Sequence, residues 1–237
     1  MVGEMVLVRG STFAMGGGDH SLHDSRPIHT VHVDDFMIAS HPVTRREWNE
    51  LFPSDSAFEG YDDCPAVSVS WYEAIEYCNR LSARHGLSLC YTIYQDSVTP
   101  RPGANGYRLP TEAEWEFAAR GGERGHGFIF AGSNTLGDIG WFKGNSGGNP
   151  HPVGGKSPNE LGLFDMSGNV WEWCWDCYGP YPADHTENPL GAQDDCLRVY
   201  RGGSWVDFEQ GCEVAARGRR APSRGYDDIG LRVARSV

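Results

Sequence analysis

The sequence predicts an α+β domain with little regular structure, and three observations carry that expectation. The 237 residues include 31 Gly and 14 Pro, a composition rich in turns. Helix-start signals occur only three times, all in the first half of the chain. The apolar runs that read as strands are short and scattered.

Each helix start is a hydroxyl residue followed three positions later by Glu, so that each side chain satisfies an open backbone donor of the other. The pairs are Thr44 with Glu47, Ser70 with Glu73, and Thr111 with Glu114. After Ser70, the residues Trp71, Ala74, Ile75, Cys78 and Leu81 recur at helical spacing before Gly86, which predicts about four turns with one buried stripe. The third helix is short, with Trp115, Ala118 and Ala119 as its apolar set and Gly121 and Gly122 as its stop. Strands are expected over 5–8, 30–38, 199–205 and 230–234. The stretch 121–189 shows neither period but is rich in Trp, Tyr and Phe, which predicts loops pinned by buried rings. No composition break resembles a linker, so residues 1–237 are expected to form one domain.

Composition also excludes functions. No run of about eighteen apolar residues is present, so no membrane-spanning helix is expected. The formal net charge is -12 and the only lysines are Lys143 and Lys156, which argues against nucleic acid as a partner. The charge is uneven: residues 201–237 hold seven Arg against five acids. The tail is thus chemically distinct from its support.

Chemical motifs are weak. Cys174 and Cys177 have zinc-knuckle spacing but lack a matching second pair, since Cys196 and Cys212 stand alone. Buried thiols with one local disulfide are the plainer expectation. His20 with His23, and His29 with His32, are three residues apart, a spacing that on a strand sends the rings to opposite faces. The triple Gly16-Gly17-Gly18 has no following Lys and is a turn, and no Gly-x-Ser-x-Gly elbow offers a nucleophilic serine. Cys212 lies near Arg217, Arg219 and Arg220 in sequence, a setting that would lower its pKa if the charges reached it. Glu172, set between Trp171 and Trp173, must find either a calcium ion or a buried arginine if it is interior.

Several long motifs, in order, resemble the formylglycine-generating-enzyme (sulfatase-modifying factor) family. They are Met5 to Gly16, His41-Pro42-Val43-Thr44, Pro65 to Trp71, Arg108 to Glu116, Gly168 to Trp173, Arg201-Gly202-Gly203-Ser204-Trp205 and Ile229-Gly230-Leu231-Arg232. The resemblance spans nearly the whole chain and implies a C-type-lectin-like fold. In the catalytic branch two cysteines after the Gly-Gly-Ser-Trp motif hold copper; the matching positions here are Asp207 and Cys212. A carboxylate does not supply the second soft thiolate, so the resemblance implies no oxidase activity. The iron-dependent branch is not matched either, for want of a helical His-x-x-x-His pair. One family calcium site matches Asp165, Gly168, Val170 and Glu172, and this structural calcium is the one cofactor to be considered; none is expected to be required.

The tail is similar to another branch, the variable proteins of diversity-generating retroelements. In that branch a segment opening on Arg-Gly-Gly-Ser-Trp has its asparagine-templated positions rewritten by adenine-directed mutagenesis. The segment here is 201–232, and the matching positions are Val206, Asp207, Phe208, Gly211, Ala216, Gly218, Arg219, Arg220, Ala221, Gly225, Tyr226 and Asp227. None is Lys, Glu, Gln, Met or Trp, the five types that rewriting such codons does not reach. Phe208 and Tyr226 are suited to anchor in a partner's pocket, Arg219 and Arg220 to make forked hydrogen bonds, and the small residues to leave concavities. Trp205, Val214, Ile229, Leu231 and Val233 suit a packed support.

The resemblance therefore implies a non-enzymatic protein that binds a macromolecule, a surface protein of a host or neighbouring cell. It further implies a monomer displayed on a bacterial cell surface by a lipid anchor on an N-terminal segment. The competing expectations are a cysteine oxidase with an altered copper site at Cys212, and a carbohydrate-binding module lacking the usual Glu-Pro-Asn signature.

Overall fold

The computed structural model describes residues 2–17, 23–53, 61–95, 97–192 and 197–237. Gly18, His20 and Cys196 lie outside these described residues. In chain order the elements are β1 (Met5–Val8), β2 (Ser11–Met15), β3 (His29–Val33), β4 (Phe36–Ala39), α1 (Arg45–Asn49), α2 (Trp71–Arg84), β5 (Tyr91–Tyr94) and β6 (Ser97–Pro100). They continue with α3 (Glu112–Ala119), α4 (Leu136–Ile139), β7 (Trp171–Cys177), β8 (Thr186–Glu187), β9 (Arg198–Arg201), β10 (Arg217–Arg220), β11 (Ile229–Leu231) and β12 (Ala234–Ser236).

All three expected helix starts are reciprocal caps, with Thr44, Ser70 and Thr111 each accepting from the backbone of its Glu and being capped in return. α2 packs Trp71, Ala74, Ile75, Cys78 and Leu81 inward, along the predicted stripe. Its Trp71 indole donates to the carbonyl of Cys174 at 2.9 Å, and the Trp173 indole returns a bond to the carbonyl of Val69 at 2.9 Å. Rings and ladders thus stitch the helix to β7.

The strands differ from expectation in instructive ways. The single strand foreseen over 30–38 is two, β3 and β4, because Asp34 and Asp35 leave the ladder. Asp35 accepts the Gly10 amide at 2.7 Å, and the Asp34 amide donates to Asn188 at 2.9 Å. The strand foreseen over 199–205 stops at Arg201, because Gly202 and Gly203 take positive φ of 103° and 75°. A Cβ on Gly203 would stand 2.5 Å from the Cys212 sulfur, so the motif requires glycine twice over. The last strand is split at Arg232, whose side chain turns into the core.

β2, β5, β6, β7, β8 and β10 lie outside the expected strands, and two of them, β7 and β10, shape the site. β7 lies inside the stretch read as loops, and its residues are buried on both faces, so no alternation marks it. β10 carries Arg-Gly-Arg-Arg, which has no strand propensity pattern. They belong to one four-stranded sheet, ordered β10-β9-β7-β11, with β11 parallel to β7 and the other neighbours antiparallel. The remaining sheets are β1-β4-β12, β2-β3-β8 and the β5-β6 hairpin. The tail therefore contributes both edges of the sheet around the central β7.

Replacing the α2 cap, Ser70→Ala, is expected to lower the free energy of unfolding by about 1 kcal/mol in chemical denaturation. A change within about 0.2 kcal/mol would show that the cap is dispensable.

Candidate ligand-docking face

Three arginines fix the tail to its frame, at its start, middle and end. Arg201 is fully buried; its guanidinium is paired with Glu116 of α3 and donates to the carbonyls of Val214, Ala215 and Ala216. Arg217 clasps both oxygens of Glu112 at 2.8 and 2.6 Å and donates to the carbonyls of Asp24 and Gly179. Arg232, also fully buried, clasps Glu172 and donates to the carbonyls of Ala39 and Phe164 at 2.9 and 2.7 Å. Glu112 and Glu116 are one turn apart on α3, so one helix face receives two of the three. Burial alone would raise Glu116, but Arg201 and Arg120 outweigh it and hold its carboxyl below the usual range.

Between these fixed points, chain segments reach solvent. The loop 205–208 lies on the loop around Lys143: the Lys143 amide donates to the Asp207 carbonyl at 2.9 Å, and its ammonium sits 4.2 Å over the Phe208 ring. Phe208 is nevertheless 66% exposed and Val206 40%. From β10, the Arg220 guanidinium lies 4.3 Å over the ring of Tyr226. The Arg220 guanidinium is also 6.0 Å from the ring of Tyr200 of β9, which stands edge-on to Trp171 with ring centroids 4.9 Å apart. Burial pushes the Tyr200 phenol up, Arg220 pulls it down, and Asp228 and Asp207 push it up again, so these charges converge on one ring. Val206, Asp207, Phe208, Gly211, Arg220, Ala221, Tyr226 and Asp227 are all exposed or half-buried.

Four expected positions stand elsewhere. Ala216 is buried in the main core beside Ile229 and Leu231, and is not surface. Arg219 points to the opposite side of β10 from Arg220, because neighbouring strand residues alternate; it lies 4.2 Å over Tyr178 instead. Gly218 and Gly225 are contact points and not concavities: a Cβ would fall 2.2 Å from the Tyr200 ring and 2.2 Å from the Ser68 carbonyl oxygen, respectively. Conversely, Tyr200, Lys143 and Asp228 belong to the face without having been foreseen. Tyr200 had a signal, since it directly precedes the Arg201 motif in an expected strand; Lys143 is remote in sequence and had none.

The metal expectations do not fit these residues. Glu172, the carboxylate left open between calcium and arginine, is paired with Arg232, and its Oε2 also accepts the Trp115 indole at 2.7 Å. Asp165 accepts the Gly154 amide at 2.8 Å and the Asn169 side chain at 3.2 Å, and burial pushes its carboxyl up. Gly168 and Val170 are also buried, and a calcium ion among the four would sit against a guanidinium. Among the described residues no group of three or more His, Cys, Asp and Glu could hold a metal. Cys177 is disulfide-bonded and so is no zinc thiolate. Cys212 is buried among Phe130, Leu136 and Ile139, and burial with Asp207 nearby pushes its thiol up. The neighbouring arginines do not lower it, because Arg217 is committed to Glu112 and Arg219 and Arg220 point outward.

A loop-rich set of small sheets with a tail bolted into the core is the formylglycine-generating-enzyme type of C-type-lectin-like fold. The chain belongs to the sulfatase-modifying factor family, whose enzyme 1-like domain matches residues 1–237. It is 34% identical to the chaperone protein LppX of Paenibacillus barcinonensis over 98% of this chain and 89% of that one. It is 29% identical to the formylglycine-generating enzyme of Streptomyces coelicolor, over 97% and 88% of the two chains. Treponema denticola variable protein 1 superposes with a TM-score of 0.89 at 30% identity, over 98% of this chain and 95% of that one.

Two outcomes follow for Arg232. Arg232→Met leaves Glu172 buried without its cation and is expected to cost about 3–5 kcal/mol of stability, much of it recovered by adding Glu172→Gln. Chelation with EDTA is expected to leave the melting temperature unchanged; a clear drop would restore calcium to the account.

Proposed function

We propose that the chain is a non-enzymatic ligand-binding protein whose face from segment 201–232 docks another macromolecule, a surface protein of a host or neighbouring cell. The observation that carries this reading is the division of the tail into buried arginines paired with carboxylates of the frame and, between them, side chains open to solvent. Phe208 is largely open to solvent, and the Arg220 and Tyr226 pair is preassembled by stacking. Aromatic and arginine side chains held in place lose little freedom on binding, which is what concentrates affinity in a few residues. The likeness to a variable protein supports the same reading. It extends to a monomer on a bacterial cell surface, held by a lipid anchor on an N-terminal segment. Among the described residues no helix is long and apolar enough to cross a membrane.

Oxidase chemistry is not part of this reading. Asp207 stands where the resemblance places the first copper-holding cysteine, and its carboxylate accepts the Ser204 hydroxyl. The remaining thiol, Cys212, is buried and held protonated, the reverse of what a cuprous ligand needs.

Binding to an arrayed panel of purified host and bacterial surface proteins tests the proposal. For any specific ligand, Phe208→Ala, Arg220→Ala and Tyr226→Ala are each expected to cost about 2 kcal/mol of affinity, roughly thirtyfold, with the melting temperature kept in Phe208→Ala and Arg220→Ala. Binding untouched by all three changes would place the contact surface elsewhere. Turnover of a cysteine-containing sulfatase peptide with added copper, lost in Cys212→Ser, would overturn the non-enzymatic assignment.

A further inference from the structure

On the Arg217 and Arg219 side of β10, away from Tyr200 and Tyr226, lies a pocket of about 460 Å³. Its volume is in the range of small-molecule sites. The floor is formed by Asp176, Glu112 and Arg217, and the walls by Pro180, Tyr181 and Leu190. None of these residues takes part in the docking face.

The fixed charges of the floor are already matched. The Arg217 guanidinium is committed to both oxygens of Glu112 and to two backbone carbonyls, and the Tyr181 hydroxyl donates to Glu112 at 3.1 Å. The Tyr181 ring is covered too, with Arg217 4.0 Å from its centre and His29 4.6 Å away. A charged ligand would therefore lose its water above a floor whose charges are already paired, with the exposed Glu187 carboxylate at the rim as the one further charge among the described lining residues.

Three polar groups that line the pocket keep unused bonding capacity. Asp176 accepts the Glu112 amide through Oδ2 at 2.7 Å, while its Oδ1 has no hydrogen bond among the described residues. Burial first, and Glu112 second, push the Asp176 carboxyl well above the usual carboxylate range, which favours the protonated form and an O–H on the free oxygen. His29 Nδ1 lies 3.3 Å from the Pro27 carbonyl; with the proton on that nitrogen, Nε2 is an acceptor. The Thr186 hydroxyl is buried with no partner among the described residues. A donor, an acceptor and a hydroxyl thus stand unmatched between apolar walls, the arrangement that orients a small ligand.

We infer that this pocket binds a small uncharged ring compound bearing a hydrogen-bond donor and acceptor side by side, of the amide or lactam class. The apolar walls take the ring, and the unmatched groups on Asp176, His29 and Thr186 take the amide.

Three probes of one shape separate the ligand chemistries: benzamide is neutral, benzoate anionic and benzamidine cationic. Ligand-detected NMR on the intact protein is expected to show benzamide binding at least about tenfold more tightly than either charged probe. Leu190→Trp, made at a rim position that is 51% exposed, is expected to abolish the signal without changing the melting temperature. Thr186→Val is expected to weaken binding about threefold or more, whereas Asp176→Asn, which copies the neutral acid, retains it. Arg220→Ala and Tyr226→Ala are expected to leave benzamide binding intact, so this site and the docking face succeed or fail separately. A charged probe that binds as tightly as benzamide, a benzamide signal indifferent to Leu190→Trp, or no signal at all would overturn the inference.

Discussion

Buried arginines paired with carboxylates are the constraint on which the rest of this fold depends. Arg201, Arg217 and Arg232 are spaced almost evenly along the tail, and each ends in a carboxylate of the preceding frame. Removing such a charge from water is costly, and the cost is offset only when every donor finds an acceptor. Here the guanidiniums also reach backbone carbonyls, so they tie the ladders to loops such as those at Gly179 and Phe164. Arg232 alone links β7 through Glu172, the end of β4 through Ala39, and the loop at Phe164. In a chain with so little regular structure, these bonds reinforce the short ladders that hold the tail.

That economy of fixation explains how a solvent-exposed surface and a stable frame coexist in one segment. The residues that support are buried arginines, glycines in contact with backbone, and apolar positions such as Val214 and Ile229; the residues that display lie between them. Strand geometry sharpens the division. β10 sends Arg217 and Arg219 to one side and Gly218 and Arg220 to the other, so one short strand serves the pocket on one face and the proposed docking surface on its reverse.

How much of this was legible in the sequence depended on whether the signal was local. The caps at Thr44, Ser70 and Thr111 and the stripe of α2 are short-range patterns, and they stand as read. β7 was invisible because a strand buried on both faces shows no alternation, and β10 because arginines conceal it. With β10 unseen, Arg219 and Arg220 were placed together, and the alternation that parts them was lost. Glu172 was recognised as needing a cation, but which cation depended on Arg232, sixty residues away. The pocket beside Asp176 had no signal at all, since its parts come from β3, α3, β7 and β8.

The most direct test of the division between holding and displaying residues compares two libraries by protease resistance on a display system. One randomises Val206, Phe208, Arg220, Ala221, Tyr226 and Asp227; the other randomises Arg201, Arg217 and Arg232. The account predicts that most members of the first fold like the parent and almost none of the second do. Comparable losses in the two libraries would contradict it.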